Sequence, residues 1–107
     1  MRRTIGGMRP DTFSFTAELW EYEGQGAWHF VSLPEGDADE IEATYGHRAG
    51  GFGSVRVRVT IGTTTWSTSI FPDRKRGTYV LPVKKAVRQA EGLAEGMHVD
   101  VELTVTA

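Results

Sequence analysis

Six cations fall within fifteen residues of this chain: Arg74, Lys75 and Arg76, then Lys84, Lys85 and Arg88. Arginine presents a planar fork of donors and lysine a compact charge, so the set suits phosphate or carboxylate. The first three lie in a stretch with loop chemistry, 72–77 (PDRKRG). The other three follow Leu81 and Pro82, where a helix is expected to begin, and free N–H groups at a helix start favour anions. We expect these six residues to form one anion-binding face. Towards nucleic acid such a face supplies salt-dependent affinity but little sequence choice. The competing reading is a solvated surface, with Arg56 and Arg58 facing Asp100 and Glu102 across adjacent strands.

A second set is aromatic. Trp20, His29, Trp66 and Tyr79 can line the mouth of a small β-barrel, where aromatic walls and one polar contact make a ligand pocket. Trp28 belongs with them by type, but Trp28 and His29 are neighbours, and successive strand residues face opposite ways. At least one of the two is therefore expected outside a pocket. The alternative for tryptophans in so small a domain is the core.

Other chemistry finds little support. There is no cysteine, hence no disulfide, thiolate metal site or cysteine nucleophile. His29, His47 and His98 show no metal-ligand spacing, so no metal or other cofactor is expected. The acids at 37–40 lack the glycine and periodic ligands of a calcium loop. Residues 50–53 (GGFG) lead into a strand, whereas phosphate cradles lead into a helix, so these glycines are assigned to a turn. No nucleophile motif occurs, and catalytic residues are not assigned.

The elements that must position these residues are mostly strands. With 107 residues, 39% hydrophobic and 24% charged, the chain suits a single soluble domain. Residues 1–11 read as a flexible leader, and 12–107 as one domain. Residues 12–21 alternate Phe13, Phe15, Ala17 and Leu19 with polar side chains, the period of a half-buried strand. A turn at 23–26 leads to a second strand, 27–33, ended by Pro34. A helix over 35–45 places Ala38, Ile41 and Tyr45 on one side and acids elsewhere. After a flexible connection over 46–53, strand 54–61 points Val55, Val57, Val59 and Ile61 one way and Arg56, Arg58 and Thr60 the other. Gly62 and Thr63 turn the chain into strand 64–71. The loop 72–77 leads to a short strand, 78–81. A second helix then aligns Val83, Ala86, Val87 and Ala90 before Gly92. Strand 98–105 closes the chain, with Val99, Val101, Leu103 and Val105 inward.

An internal echo sets the architecture. Strand, Leu33 and Pro34, helix, glycine and alternating strand recur as strand, Leu81 and Pro82, helix, glycine and alternating strand. A strand bearing a tryptophan, Trp20 or Trp66, precedes each half. The expected fold is mainly β: a small barrel of about six strands capped by two α-helices, with pseudo-twofold halves. Closure would remove exposed sheet edges.

Four segments together carry a family resemblance: 28–34 (WHFVSLP), 51–57 (GFGSVRV), 65–72 (TWSTSIFP) and 77–88 (GTYVLPVKKAVR). From about Thr12 to its last residue the chain resembles the bacterial family called domain of unknown function 1905 (DUF1905). That resemblance implies a double-split β-barrel with helices at its ends, similar in general fold to AbrB-type antitoxins and transition-state regulators. Some members carry a further domain associated with bacteriocin protection, for which this chain is too short. The family has no established catalytic residues to carry over.

Charge narrows the partner. Residues 54–90 hold eight Lys/Arg and only Asp73 as an acid, a local +7; the remainder holds four basic and thirteen acidic residues, giving −9 and a net charge of −2. The overall balance argues against a generic polyanion binder, while the asymmetry suits a localised binding face. The leading expectation is a non-catalytic binding or interaction module for an anionic ligand or protein partner. A small-molecule binder or enzyme using the aromatic barrel mouth is the alternative, and DNA binding rests on the AbrB-type fold analogy alone. No stretch suits a membrane helix and no signal peptide is evident, so a cytoplasmic protein is expected. Oppositely charged helices permit a homodimer, and the internal symmetry permits a monomer.

Overall fold

The structure, a computed structural model, describes residues 11–24 and 28–107. The expected leader, apart from Asp11, lies outside the described residues, as do Gln25, Gly26 and Ala27 of the first turn and second strand. Among the described residues the fold is mainly β: seven strands in one curled, half-barrel sheet, with two α-helices.

The strands are β1 (Thr12–Glu18), β2 (Trp20–Glu21), β3 (His29–Ser32), β4 (Val55–Ile61), β5 (Thr64–Asp73), β6 (Thr78–Pro82) and β7 (His98–Val105). Helix α1 spans Glu35–Tyr45 and α2 spans Lys85–Glu91. The strand order is β1-β7-β4-β5-β6-β3-β2, and every pairing is antiparallel. Seven strands replace the expected six because the first is interrupted at Leu19. Before the interruption β1 pairs with β7; after it β2 pairs with β3. The Leu19 N–H donates to Met97 O and its carbonyl accepts from the Gly96 N–H, each at 2.8 Å, so the bend leaves neither backbone group without a partner.

Strand β5 makes the same kind of change without a break. Thr64 to Ile70 pair with β4, and Phe71 to Asp73 pair with β6. Matching β1 and β2 with β5, β3 with β6, α1 with α2 and β4 with β7 maps the set of pairings onto itself. The echo in the sequence is thus an echo in connectivity.

Alternation builds the core. Val55, Val57, Val59 and Ile61 of β4 meet Val99, Val101, Leu103 and Val105 of β7, all buried. Leu19, Val31, Leu33, Ile70 and Leu81 join them, with Ala38 and Ile41 from α1 and Val83 and Val87 around α2. Gly62 (φ +61) is the first of two loop residues between β4 and β5, the position that needs a positive φ in a type II′ hairpin.

Three expectations change. The register of β4 and β7 puts Arg58 opposite Thr104 and Thr60 opposite Glu102, so the two arginines are not directly across from Asp100 and Glu102. Asp100 instead accepts a 2.6 Å hydrogen bond from Thr16. In α2, Ala86 and Ala90 are exposed: the helix has seven residues, and only Val87 within it reaches the core. The 46–53 connection contains two 3-10 turns, Gly46–Arg48 and Gly51–Gly53, the second holding Phe52 at φ +62.

Candidate functional site

Between α2 and the strands β3, β5 and β6 lies a cleft of about 570 Å³. Trp66, Ser67, Thr68 and Phe71 of β5 form one side. Trp28 and His29 enter from the start of β3, and Pro82, Val83, Lys84, Lys85 and Arg88 come from the β6–α2 corner. Two of the four predicted pocket residues, Trp66 and His29, therefore meet three of the six predicted cations. Trp28 and His29 both line this cleft, contrary to the strand-alternation argument. Trp28 precedes β3, where a cleft at the strand end can be reached from either face.

The corner is well anchored. Val83 N–H donates to His29 O at 2.9 Å, and the Arg88 guanidinium donates to Val83 O at 2.8 Å. Part of Arg88 is thus committed to holding the corner, leaving Lys84 and Lys85, both exposed, as the freely presented charges. At the far end of α2, Gly92 (φ +65) closes a Schellman cap: Leu93 N–H reaches Arg88 O at 2.8 Å and Gly92 N–H reaches Gln89 O at 3.4 Å.

The other three predicted cations lie beyond the opposite end of β6, so the six form two groups. Lys75 is exposed on the β5–β6 turn. Arg74 borders a separate hollow of about 300 Å³ that also contains Asp39, Glu42, Asp73 and Tyr79. That hollow carries three carboxylates and is a poor place for an anion. Tyr79 is buried there; its burial, and then the charge of Glu42, push its phenol above the usual range. Arg76 donates to Asp73 at 2.9 Å and lies over the Trp20 ring, 3.8 Å from its centroid.

Trp20 consequently belongs to neither hollow. Because Val31 and Leu81 point inward, Phe30, Ser32, Val80 and Pro82 point outward, and the register brings Trp20 opposite Phe30. The Trp20 and Phe30 ring centroids are 5.0 Å apart, and Trp28 stacks on Phe30 at 6.2 Å with 12° between planes. Trp20 Nε1 donates to Ser32 Oγ at 3.0 Å. Val80 is buried yet lies outside the main core cluster, on this second, outer side. The outward row containing Phe30 was missed in the sequence, although an inward Val31 already implied it.

Among the described residues no group of three or more His, Asp or Glu is placed to hold a metal ion. No described helix is long and apolar enough to cross a membrane.

With this geometry in place the comparison with known families is decisive for kinship. The family described as domain of unknown function (DUF1905) matches residues 15–103. The chain belongs to that family. The DUF1905 match runs from β1 to β7, so it takes in the cleft, the outward aromatic row and both basic groups. No curated protein matches the chain.

Proposed function

We propose that this DUF1905 domain is a non-catalytic binding module whose 570 Å³ cleft takes an anion with a planar or apolar body. The observation that carries the reading is the meeting of Trp66, Trp28, His29 and Phe71 with Lys84, Lys85 and Arg88 around one cleft. Aromatic walls favour a flat apolar body, and exposed ammonium groups at the rim favour its charge. The scaffold is a double-split β-barrel: β1 with β2, and β5, each serve both halves of the sheet. This arrangement leaves a corner between β6 and α2 where side chains from both halves converge.

The test is thermal shift at about 20 mM salt with AMP, 1-naphthoate and inorganic phosphate, because a ligand of the native state stabilises it by mass action. AMP or 1-naphthoate is expected to raise Tm more than phosphate does. Trp66→Ala, or the double change Lys84→Ala with Lys85→Ala, removes that increment. No increment from any of the three at millimolar concentration rejects the cleft as a site.

A further inference from the structure

The outer face of β2, β3 and β6 presents an unusual amount of aromatic surface. By alternation Trp20 and Tyr22 face outward from one arm of the first hairpin, and Phe30 from the other; Tyr22 N–H bonds Trp28 O at 2.8 Å, which carries the pairing on to Trp28. Tyr22 is 49% and Trp28 58% exposed, and Phe71 on the neighbouring strand is also exposed. Such rings leave contiguous apolar area in water, which a partner would bury.

These rings join the two basic groups. From the β5–β6 turn, Arg76 stacks on Trp20, Trp20 meets Phe30, and Phe30 meets Trp28, at 3.8, 5.0 and 6.2 Å in turn. Trp28 then lines the cleft with Lys84 and Lys85. Arg74 and Lys75 are exposed on the β5–β6 turn beside Arg76, at the other end of the row. Arg74 also borders the hollow with Asp39 and Glu42, and Asp73 is paired with Arg76. A cationic group, a run of planar rings and a second cationic group match a chain that repeats an anion and a planar unit.

We propose that this face is a stacking platform for single-stranded nucleic acid. Base–aromatic stacking tolerates any sequence, while flanking Lys and Arg follow the phosphates. Four-stranded RNA-binding sheets stack about two or three bases on their aromatic side chains, and a row of this kind offers the same chemistry on a smaller face. The row presents mainly ring faces, and the Ser32 hydroxyl already accepts from Trp20, so binding is expected to discriminate weakly among sequences. The platform rests on the cleft reading at one end, where Trp28 serves both. At the Arg74 and Lys75 end it stands apart from it.

The experiment measures anisotropy of labelled dT12 and dA12 at about 20 mM salt, with tryptophan fluorescence followed in parallel. The duplex of the same strands and polyglutamate are the competitors. Both single strands are expected to bind and quench tryptophan, and to outcompete duplex and polyglutamate. Trp28→Ala, at an exposed position, lowers affinity about tenfold, in the range of one lost base stack. Arg74→Ala with Lys75→Ala weakens the oligonucleotide and flattens its salt dependence by about 0.7 in log–log slope per lost phosphate contact, while leaving any AMP shift unchanged. Absence of binding, or binding without quenching, overturns the platform. Preference for polyglutamate also overturns it and points to an acidic protein partner. An AMP shift without oligonucleotide binding would reject the platform and keep the cleft; oligonucleotide binding sensitive to Arg74 and Lys75, with no AMP shift, would do the reverse.

Discussion

The guanidinium of Arg76 lies 3.8 Å from the centroid of the Trp20 ring while its Nη1 donates to Asp73 Oδ2 at 2.9 Å. One side chain thus ties the β5–β6 turn to the first hairpin, two segments more than fifty residues apart in sequence. The turn is tightened further by the Arg76 N–H on Asp73 Oδ1 at 3.2 Å and by Gly77 N–H on Asp73 O at 2.8 Å.

Two different interactions meet at Arg76, and pH separates them. Burial raises the Asp73 carboxyl, but the Arg76 N–H, guanidinium and charge, with the Lys75 N–H, outweigh it and hold the group below its usual 3.8. A lowered folded-state pKa stabilises the fold above the unfolded value and loses that contribution as pH falls through the folded one. Arg76→Ala is expected to cost about 1 kcal/mol at pH 7, combining an exposed ion pair with a cation–π contact. In acid the ion-pair share disappears, whereas the stack on Trp20 persists. Urea denaturation at pH 7 and at successive steps below pH 3.8 checks this: the Asp73→Asn penalty fades as pH falls through the lowered carboxyl, and Arg76→Ala keeps part of its own. Equal loss of both penalties would rule out a stabilising stack.

Much of the scaffold was legible because period two is a local signal. Val55 to Ile61 and Val99 to Val105 declare their inward faces without knowing their partners, and α1 has the bounds its apolar spacing implied. What alternation cannot carry is where a strand changes partner. Residues 12–19 alternate strictly and Trp20 and Glu21 then reverse the pattern, but nothing in that reversal says that the ladder passes from β7 to β3 across Leu19. Register between distant strands is equally silent, which is why Arg58 faces Thr104 rather than an acid. The cleft was half legible for a related reason. Residue type marked Trp66 and Lys84 as worth notice, but their meeting depends on the β6–α2 corner folding back over β5. Phe30 and Phe71 read as generic strand hydrophobes until the two inward neighbours, Val31 and Ile70, assign them to the other face.

A second long-range tie links α2 to the β4–β5 hairpin and offers a stability test. Glu91 accepts bonds from Thr64 Oγ1 at 2.5 Å, the Thr63 N–H at 3.2 Å and Thr63 Oγ1 at 3.4 Å. The Thr64 bond is the main cause of a carboxyl held below its usual 4.5, desolvation opposing it and the Thr63 bonds assisting. A side chain at Gly62 would collide with the Glu91 carboxylate and would also sit at φ +61. Gly62→Ala should therefore push the Glu91 carboxylate off Thr63 and Thr64, and cost more than the ~1–2 kcal/mol of a left-handed residue alone. Adding Glu91→Ala removes the collision but leaves the backbone strain, so the pair should be less than additive in a double-mutant cycle. Strict additivity would show that the hairpin does not rest on Glu91. The wild-type advantage over Glu91→Gln should narrow as pH falls below about 4.5, since protonation ends the charge-assisted bonds.

The bend at Leu19 gives the strongest prediction about the fold itself. Its side chain is fully buried among the core residues, while its N–H and carbonyl are held by Met97 and Gly96. Those backbone bonds survive truncation, so Leu19→Ala removes packing and little else. Neighbouring backbone is tethered on both sides, by β1 to β7 and by β2 to β3, which limits how far it can collapse into the space left. A loss of about 3 kcal/mol is expected, within the range for buried Leu→Ala changes at sites that relax incompletely. Chemical denaturation reads the loss directly. Amide exchange locates it: the Leu19 and Gly96 amides should keep their native protection relative to the lowered global stability, because their bonds to Met97 O and Leu19 O do not depend on the side chain. Selective loss of protection at these two amides would instead mean that the Leu19 side chain holds the bend in place, and that the junction between the two parts of the sheet opens before the rest of the domain.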